Sequence, residues 1–327
     1  MEEKARVAYI DIAAGIMIIW LLIYHALWPM YKSDVLCAVP FLFFFMPWFF
    51  YKSGYFFSPK ALSETFKNDA IKLLKTYVVW SLIGYVCYIL QHFFYYNSLS
   101  FTEIVYNPLR SLCFYGLIPL NTPLWFLPVL FMVHQLANLL CKCGNLLWIG
   151  IGCMLIAIAL HLPHFKYMSR LVLATFWGLG FFCMGAWMRK YEQNRIVVIA
   201  SAIVLIIAIV FTPIPTTYDR PDMIQWYWYI CWYPACLAGC IVFNNICKML
   251  ESLHLSMILK WVGQNAIIFY VMHGIVVVML QEWMCQRCIA WYDSWQGLIL
   301  VLVSYIVVMV PLCFVLNMAK YGKNREK

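Results

Sequence analysis

Three histidines of this 327-residue chain, His25, His134 and His273, each lie inside a long apolar stretch. Ionisable side chains are costly inside a lipid bilayer, so a histidine in such a stretch is a candidate functional residue. An imidazole can relay a proton, or it can act as a general base and activate a hydroxyl group. Taken alone, His25 is equally well explained as a core histidine whose ring bonds a neighbouring carbonyl.

The first apolar stretch, Tyr9–Trp28, would present a carboxylate and an imidazole along one side of a single helix. A helix turns about 100° and rises about 1.5 Å per residue, so Ala14 and His25 share a face and lie about 16 Å apart. Asp11 lies within about 40° of that face, nearer the N-terminal end. We therefore take His25 and Asp11 as candidate catalytic residues.

The composition indicates that membrane helices position these residues. Hydrophobic residues make up 65% of the chain, charged residues 11%, and the mean hydropathy is +0.79. A soluble domain is nearer half apolar and a quarter charged. The apolar runs also lack the period-two alternation of a membrane barrel. Since a span needs about 20 mostly apolar residues, the prediction is an all-α, polytopic membrane protein with about ten transmembrane helices, near residues 8–28, 36–57, 73–94, 124–140, 146–162, 171–188, 196–212, 227–247, 262–281 and 297–318.

The positive charge is distributed as a topology signal. The formal net charge is +9, which would suit a nucleic-acid partner, but the cations are scattered through short loops between the apolar runs. If the N-terminus is inside, 16 of the 23 Lys and Arg lie on the cytoplasmic side and six on the outside. Cytoplasmic loops are the ones enriched in Lys and Arg. We therefore predict cytoplasmic N and C termini and no nucleic-acid partner.

Most of the 14 cysteines lie inside apolar runs, where a free thiol behaves as a small hydrophobe. Cys285 and Cys288 are different, because they flank Gln-Arg in a predicted loop. They are either two unpaired thiols or a disulfide. The sequence offers no second ligand pair for a zinc ion, so no metal site is predicted.

Three further motifs contain residue types that act in sites. Helix two carries Lys52 and Ser53 followed by glycine, and such small residues allow close helix approach. Lys52 either snorkels to the headgroups or contributes its charge to a site. Helix four opens on Leu-Trp-Phe-Leu, which contains Trp125 and Phe126, and helix nine carries Gly-Gln-Asn and then Tyr-Val-Met-His, which ends at His273.

The order of these motifs resembles the membrane-bound acyltransferase family 3, a family of O-acetyltransferase-like integral membrane proteins. The family pattern is Asp-x-x-(Arg/Lys)-Gly and a later histidine in helix one, which this chain matches except at the basic position. The other matching features are Ser-Gly-Tyr-Phe ending helix two, Lys-Leu-Leu opening helix three at Lys72, Leu-Trp-Phe-Leu at helix four, and Gly-x-Asn…Tyr-x-x-His at helix nine. The resemblance covers most of the chain. It implies one transmembrane domain, residues 1–327, in a multi-pass protein of the inner (plasma) membrane.

Members of that family move an acyl group, commonly acetyl, from cytoplasmic acyl-CoA to a carbohydrate or similar acceptor, often a cell-envelope polysaccharide. The resemblance therefore implies acyl-CoA (acetyl-CoA) as the donor substrate, no permanently bound cofactor, and a glycan hydroxyl as the acceptor. It implies that His25 is catalytic, and it matches Asp11 and several possible substrate-binding residues to motif positions: Lys52, Ser53, Lys72, Trp125, Phe126 and His273.

The chain departs from the family pattern at two positions. Ala14 stands where the family has a basic residue, ten intervening residues before the histidine, and Thr76 stands where a proline is common. Ala14 and Lys52 both lie about five or six residues from the predicted cytoplasmic ends of their helices, so their depths match. We hypothesise that Lys52 supplies the missing charge.

Two other functions compete with acyl transfer. Buried histidines also serve as proton relays in transporters, so a transporter or exporter of a small polar molecule on the same fold is the main alternative. A catalytically degenerate member that acts as a scaffold is the other. The sequence identifies neither the acceptor nor the oligomeric state.

Overall fold

The computed structural model describes residues 7–27, 43–96, 100–117, 119–161, 170–211, 229–292 and 294–325. Secondary structure in these residues is helical, with no strand. The first part of predicted helix two, residues 36–42, lies outside the described residues. The helices are α1 Ala8–Ala26, α2 Phe45–Tyr55, α3 Leu62–Asp69, α4 Lys75–Gln91, α5 Asn107–Tyr115, α6 Phe126–Leu140, α7 Leu146–Leu160, α8 Arg170–Met188, α9 Arg195–Phe211, α10 Tyr229–Met249, α11 Ser256–Gln264, α12 Ala266–Arg287, α13 Ile289–Tyr292, α14 Trp295–Ser304 and α15 Val310–Arg325.

Seven of the described helical segments are long and apolar enough to cross a membrane. They are Ala8–Ala26, Leu62–Phe94, Thr122–Leu140, Arg170–Met188, Tyr229–Ser252, Ala266–Arg287 and Trp295–Asn317, and α7 and α9 are shorter apolar helices. The outward faces of these helices are apolar: Ile199 and Ile206 of α9 are 60% and 59% exposed, as expected of lipid-facing residues. Each of the ten predicted segments contains a described helix, while the total number of spans and the orientation stay predictions.

Glycines bring the central helices into close contact. A Cβ added to Gly15 of α1 would clash with the backbone of Leu259, and one added to Gly263 of α11 would clash with the backbone of Asp11. The prediction of close approach at Gly54 is confirmed, because a Cβ there would clash with the backbone of α8. Small residues of this kind let membrane helices pack backbone to backbone, and here they hold α1 against α11 and α2 against α8.

Two predicted boundaries were wrong, both where hydropathy alone fixed them. Predicted helix three (73–94) begins earlier, because α3 continues through a π-helical turn at Ala70–Leu74 into α4. Predicted helix nine (262–281) is broken at Asn265, whose side chain accepts a hydrogen bond from Asn317 Nδ2 (2.8 Å) and donates to the carbonyl of Trp261 (2.8 Å). These side-chain bonds compete with the helical pattern, so α12 starts one residue later.

The segment predicted as a loop around the Cys-Gln-Arg-Cys motif is also helical. Helix α12 continues to Arg287, so Cys285 lies on the helix and Cys288 follows its last residue. Both thiols are free. The disulfide alternative is therefore not the state of this structure.

Candidate active site

A cavity of about 430 Å³ lies between the C-terminal end of α1, the turn that precedes α6, and the second half of α12. Its walls are partly apolar, with polar and aromatic groups concentrated on three elements. They include His25 from α1, Trp125 from the turn, and Gln281 and Glu282 from α12. A concave, mostly apolar space with a few converging polar groups is the usual form of a small-molecule site.

His25 lies in the last turn of α1, where it faces the cavity. Gln281 Nε2 donates a hydrogen bond to the His25 carbonyl (3.3 Å), which fixes the end of α1 against α12. The buried Tyr24 ring packs edge-on against the His25 ring, with centroids 5.5 Å apart. It also contacts the Phe45 ring of α2, with centroids 5.6 Å apart. The histidine predicted from the sequence is thus partly buried, and it lines a space large enough for a substrate group.

His273 lies directly behind His25. Its side chain is completely buried, and its Nδ1 lies 2.6 Å from the carbonyl oxygen of Tyr270. The centroids of the His25 and His273 rings are 4.9 Å apart, with their planes inclined at 46°. The structure therefore brings together two histidines that are 248 positions apart in the sequence.

A tightly packed turn holds α12 in place beside His273. The Tyr270 hydroxyl donates to the carbonyl of Pro123, and buried Asn121 donates through Nδ2 to the carbonyl of Val271 (3.0 Å). A Cβ on Gly274 would clash with the side chains of Asn121 and Pro123. Leu120, just before this turn, has φ of 66°, a strained conformation for a branched side chain that persists only where the surroundings enforce it.

Trp125 and Phe126 have different positions although they are adjacent in sequence. Trp125 lines the cavity. Phe126 packs inside the protein, with its ring centroid 4.8 Å from that of Phe50 and 5.8 Å from that of Tyr270. Of the two predicted binding residues, the structure therefore places only Trp125 at the cavity wall, and Phe126 supports it from behind.

Asp11 lies at the other end of α1. Fourteen residues separate it from His25, which corresponds to about 21 Å along the helix. Gln264 Nε2 donates to Asp11 Oδ2 (3.2 Å). The structure thus does not bring the two candidate catalytic residues of helix one together.

Lys52 and Ser53 are half-buried on α2. The helices α1 and α2 run antiparallel, because the Tyr9 and Tyr55 hydroxyls are 2.9 Å apart at one end and Tyr24 packs on Phe45 at the other. By interpolation between these contacts, Lys52 lies at about the level of Ala14. Its Nζ lies 5.5 Å from the ring centroid of Trp48, one turn earlier. These contacts support the predicted match in depth between Lys52 and Ala14, and the role of Lys52 stays a hypothesis.

A model of the acyltransferase domain matches residues 7–318. The chain belongs to acyltransferase family 3. The match extends over nearly the whole sequence, so it includes both the His25–His273 cavity and the Lys52 region. Neither the curated proteins nor the solved structures contain a match.

Family membership and the apolar helices together make the chain a multi-pass membrane acyltransferase.

Two further candidate residues of this acyltransferase also lie away from the cavity. Lys72 is exposed in the π-helical turn between α3 and α4. His134 of α6 donates through Nδ1 to Asp69 Oδ2 (3.1 Å), and Gln135 Nε2 bonds the same oxygen (3.2 Å). This contact ties α3 to α6.

Sequence reasoning missed several polar groups of the acyltransferase. Gln281 and Glu282 follow His273 by eight and nine positions, which places them about 80° and 180° around α12 from His273. Helical spacing from the predicted histidine therefore gave no signal for either residue. Asn121 had a weak signal, since it lies in a long connection between two predicted spans, and long connections are often functional.

The other missed group is Glu192, in the turn between α8 and α9. Its side chain is 1% exposed. Asn244 Nδ2 donates to Glu192 Oε1 (2.5 Å), and Trp48 Nε1 donates to Asn244 Oδ1 (2.7 Å). Burial raises the pKa of the Glu192 carboxyl to about 7, and the hydrogen bond from Asn244 limits the increase. A chain of hydrogen bonds thus connects this carboxyl with the tryptophan beneath Lys52.

Proposed function

We propose that this protein is an integral-membrane O-acyltransferase that transfers an acyl group, acetyl in the first instance, from cytoplasmic acyl-CoA to a hydroxyl of a carbohydrate or cell-envelope glycan. The observation that carries the proposal is the His25 imidazole at the wall of a 430 Å³ cavity, in a chain of the acyltransferase family. An acceptor hydroxyl in that cavity would lie within reach of a general base.

In the proposed reaction, a ring nitrogen of His25 takes the proton of the acceptor hydroxyl as its oxygen attacks the thioester carbonyl. The new carbon–oxygen bond forms and the carbon–sulfur bond breaks. The His25 imidazolium then returns the proton to the departing CoA thiolate. The products are the ester and free CoA. General-base assistance of this kind contributes about 10²–10⁴-fold in rate.

The donor is proposed to approach from the Asp11 end of α1. Lys52 would meet a phosphate of acyl-CoA at the level where the family has its helix-one cation, with Ser53 beside it. The exposed Lys60, Lys67, Lys72 and Lys75 would attract the phosphates at longer range, an effect that salt weakens. On the acceptor side, Trp125 offers an aromatic face to a sugar ring. The protein would reside in the inner (plasma) membrane.

The test uses purified full-length protein in liposomes with acetyl-CoA labelled in its acetyl group. A panel of methyl glycosides of glucose, galactose and N-acetylglucosamine serves as the acceptor probe. We expect label transfer, with release of free CoA, by the wild type and about 10²–10⁴-fold less turnover by His25→Ala. The control is His254→Ala, which removes an exposed histidine and should retain wild-type turnover.

Two results would overturn the proposal. One is wild-type turnover in His25→Ala. The other is a protein that carries labelled glycoside across the liposome membrane but neither transfers acetyl nor releases CoA, since that behaviour defines a transporter. Inactivity of the wild type in both assays would favour a catalytically degenerate member.

A further inference from the structure

We infer that His273 is a positioning residue that accepts a hydrogen bond from the His25 ring and thereby sets which nitrogen of His25 acts as the base; the inference rests on the proposed function.

The protonation state of His273 follows from its partner. A carbonyl oxygen only accepts hydrogen bonds, so the 2.6 Å contact between Nδ1 and the Tyr270 oxygen requires a proton on Nδ1. A neutral imidazole carries one N–H, which leaves Nε2 as an acceptor. The charged alternative is unfavourable, because the ring is 0% exposed and no carboxylate pairs with it among the residues that the structure describes.

The Nε2 atom of His273 needs a donor. It is buried and has no hydrogen-bond partner in the described part of the chain. Leaving a buried acceptor unsatisfied is unfavourable, because the group has lost its hydrogen bonds to water. The neighbouring Tyr270 hydroxyl cannot serve, because it is already bonded to the Pro123 carbonyl.

The His25 ring is in position to be that donor. Two imidazoles joined by an N–H···N bond of about 2.9 Å have ring centroids about 5 Å apart. The observed separation of the His25 and His273 centroids is 4.9 Å. The separation therefore matches that of a hydrogen-bonded pair, and the inference requires the His25 ring to turn about χ2 so that an N–H points at His273 Nε2.

The two histidines differ in their access to substrate. His25 lines the cavity, whereas His273 is enclosed behind it. Once one His25 nitrogen donates to His273, the other carries the lone pair and faces the cavity. After that nitrogen has taken the hydroxyl proton, the imidazolium keeps its second N–H bonded to His273. The proton passes from the acceptor to His25 and then to the thiolate, and His273 carries no transferred proton.

The surroundings hold His273 rigid, as a positioning residue requires. Asn121 donates to the carbonyl of Val271, and the Pro123 carbonyl accepts from the Tyr270 hydroxyl. Both contacts are to the turn of α12 that carries His273. Gly274 has no Cβ, so the turn that contains Asn121 and Pro123 packs closely against α12 at this position. Such supporting contacts keep a site within the small tolerance that catalysis needs.

The kinetic test compares His273→Gln with His273→Phe in the liposome assay. Glutamine keeps an acceptor near the position of Nε2, while phenylalanine keeps the ring volume without one. We expect kcat to fall by about 10²-fold or more in His273→Phe and by less than about tenfold in His273→Gln, with KM for acetyl-CoA and for the glycoside unchanged in both. A purely structural role predicts the opposite order, because phenylalanine is the better apolar filler.

A second measurement does not depend on turnover. In liposome-embedded protein labelled with ¹⁵N-histidine, only seven histidines contribute, and His25→Ala and His273→Phe identify the two signals. We expect a protonated Nδ1 and an unprotonated, hydrogen-bonded Nε2 for His273, and a change of the His25 signals in His273→Phe. Wild-type kcat in His273→Phe, or His25 signals unaltered by that substitution, would overturn the inference. If the wild type transfers no acetyl while the coupled signals are present, the proposed function fails and the histidine pair stands.

Discussion

The two ends of α1 hold polar groups in opposite ways. At the His25 end the imidazole faces a cavity, and the histidine behind it has a nitrogen with no partner among the described residues. At the Asp11 end the side chains bond one another: Gln264 to Asp11, Gln193 to Tyr9, and Tyr9 to Tyr55. Polar groups in a membrane helix therefore do not all indicate reactivity. A group open to a cavity can act on a substrate, whereas a satisfied network mainly holds helices in register.

Among the tests of this difference between the two ends of α1, the largest change in activity is expected on substitution of Lys52. If the Asp11 end receives the donor through this cation, Lys52→Met should reduce kcat/KM for acetyl-CoA by about 10–100-fold, since a hydrogen bond to a charged group contributes about 1.5–3 kcal/mol. The double variant Ala14→Arg/Lys52→Met should recover part of the loss, because it restores a cation at the same depth. Full activity of Lys52→Met in the liposome assay would end the idea. Lys190→Met, which removes an exposed cation near α8, is the control.

The second prediction concerns the close contact between α1 and α11. Gly263 touches the α1 backbone at Asp11, so Gly263→Ala should force α1 and α11 apart and destabilise the protein by about 1–3 kcal/mol. Thermal unfolding in detergent measures the effect. Gly152→Ala on α7 is the matched control, because nothing lies within 4 Å of its added methyl, and alanine there should leave the melting temperature unchanged or slightly higher. Equal melting temperatures for the two variants would contradict the packing argument.

The third prediction uses the buried carboxyl of the Asp11 end. Burial raises the pKa of Glu192 from 4.5 to about 7, so the folded protein keeps a proton that the unfolded chain has lost between those values. Stability from this group is therefore present at low pH and decreases as pH rises from about 4.5 through 7. Glu192→Gln keeps the acceptor for Asn244 without a charge.

At pH 8 we expect Glu192→Gln to be more stable than the wild type, by about 3 kcal/mol at most, and at pH 4.5 to be nearly equal to it. Melting curves at several pH values measure the difference, and Glu251→Gln, an exposed carboxyl, should show none. A difference that is independent of pH would show that the carboxyl does not titrate in this range.

The sequence predicted the spans well and the site only in part, for physical reasons. Long apolar runs must become helices in a bilayer, so α1, α6, α8 and α10 were predicted nearly to their ends. The break at Asn265 depends on a bond to Asn317 from a distant helix, which periodicity cannot show. Motif order indicated His25 and His273 as separate candidates, and their roles stay predictions. Their contact, like the link from Glu192 to Trp48, arises from tertiary packing between residues far apart in the sequence, which local sequence patterns do not show.

The smallest effect is expected on substitution of His134, the third histidine found in an apolar stretch. His134 bonds Asp69, with 25% and 13% of the two side chains exposed, and it does not line the cavity. Partly solvated pairs of this kind contribute about 0–1 kcal/mol. His134→Asn keeps a donor near Nδ1, so we expect a melting temperature close to that of the wild type and unchanged acetyl transfer. If His134→Asn instead loses turnover as His25→Ala does, then cavity access is not what distinguishes a reactive histidine in this protein, and the contrast between the ends of α1 would no longer explain where the chemistry occurs.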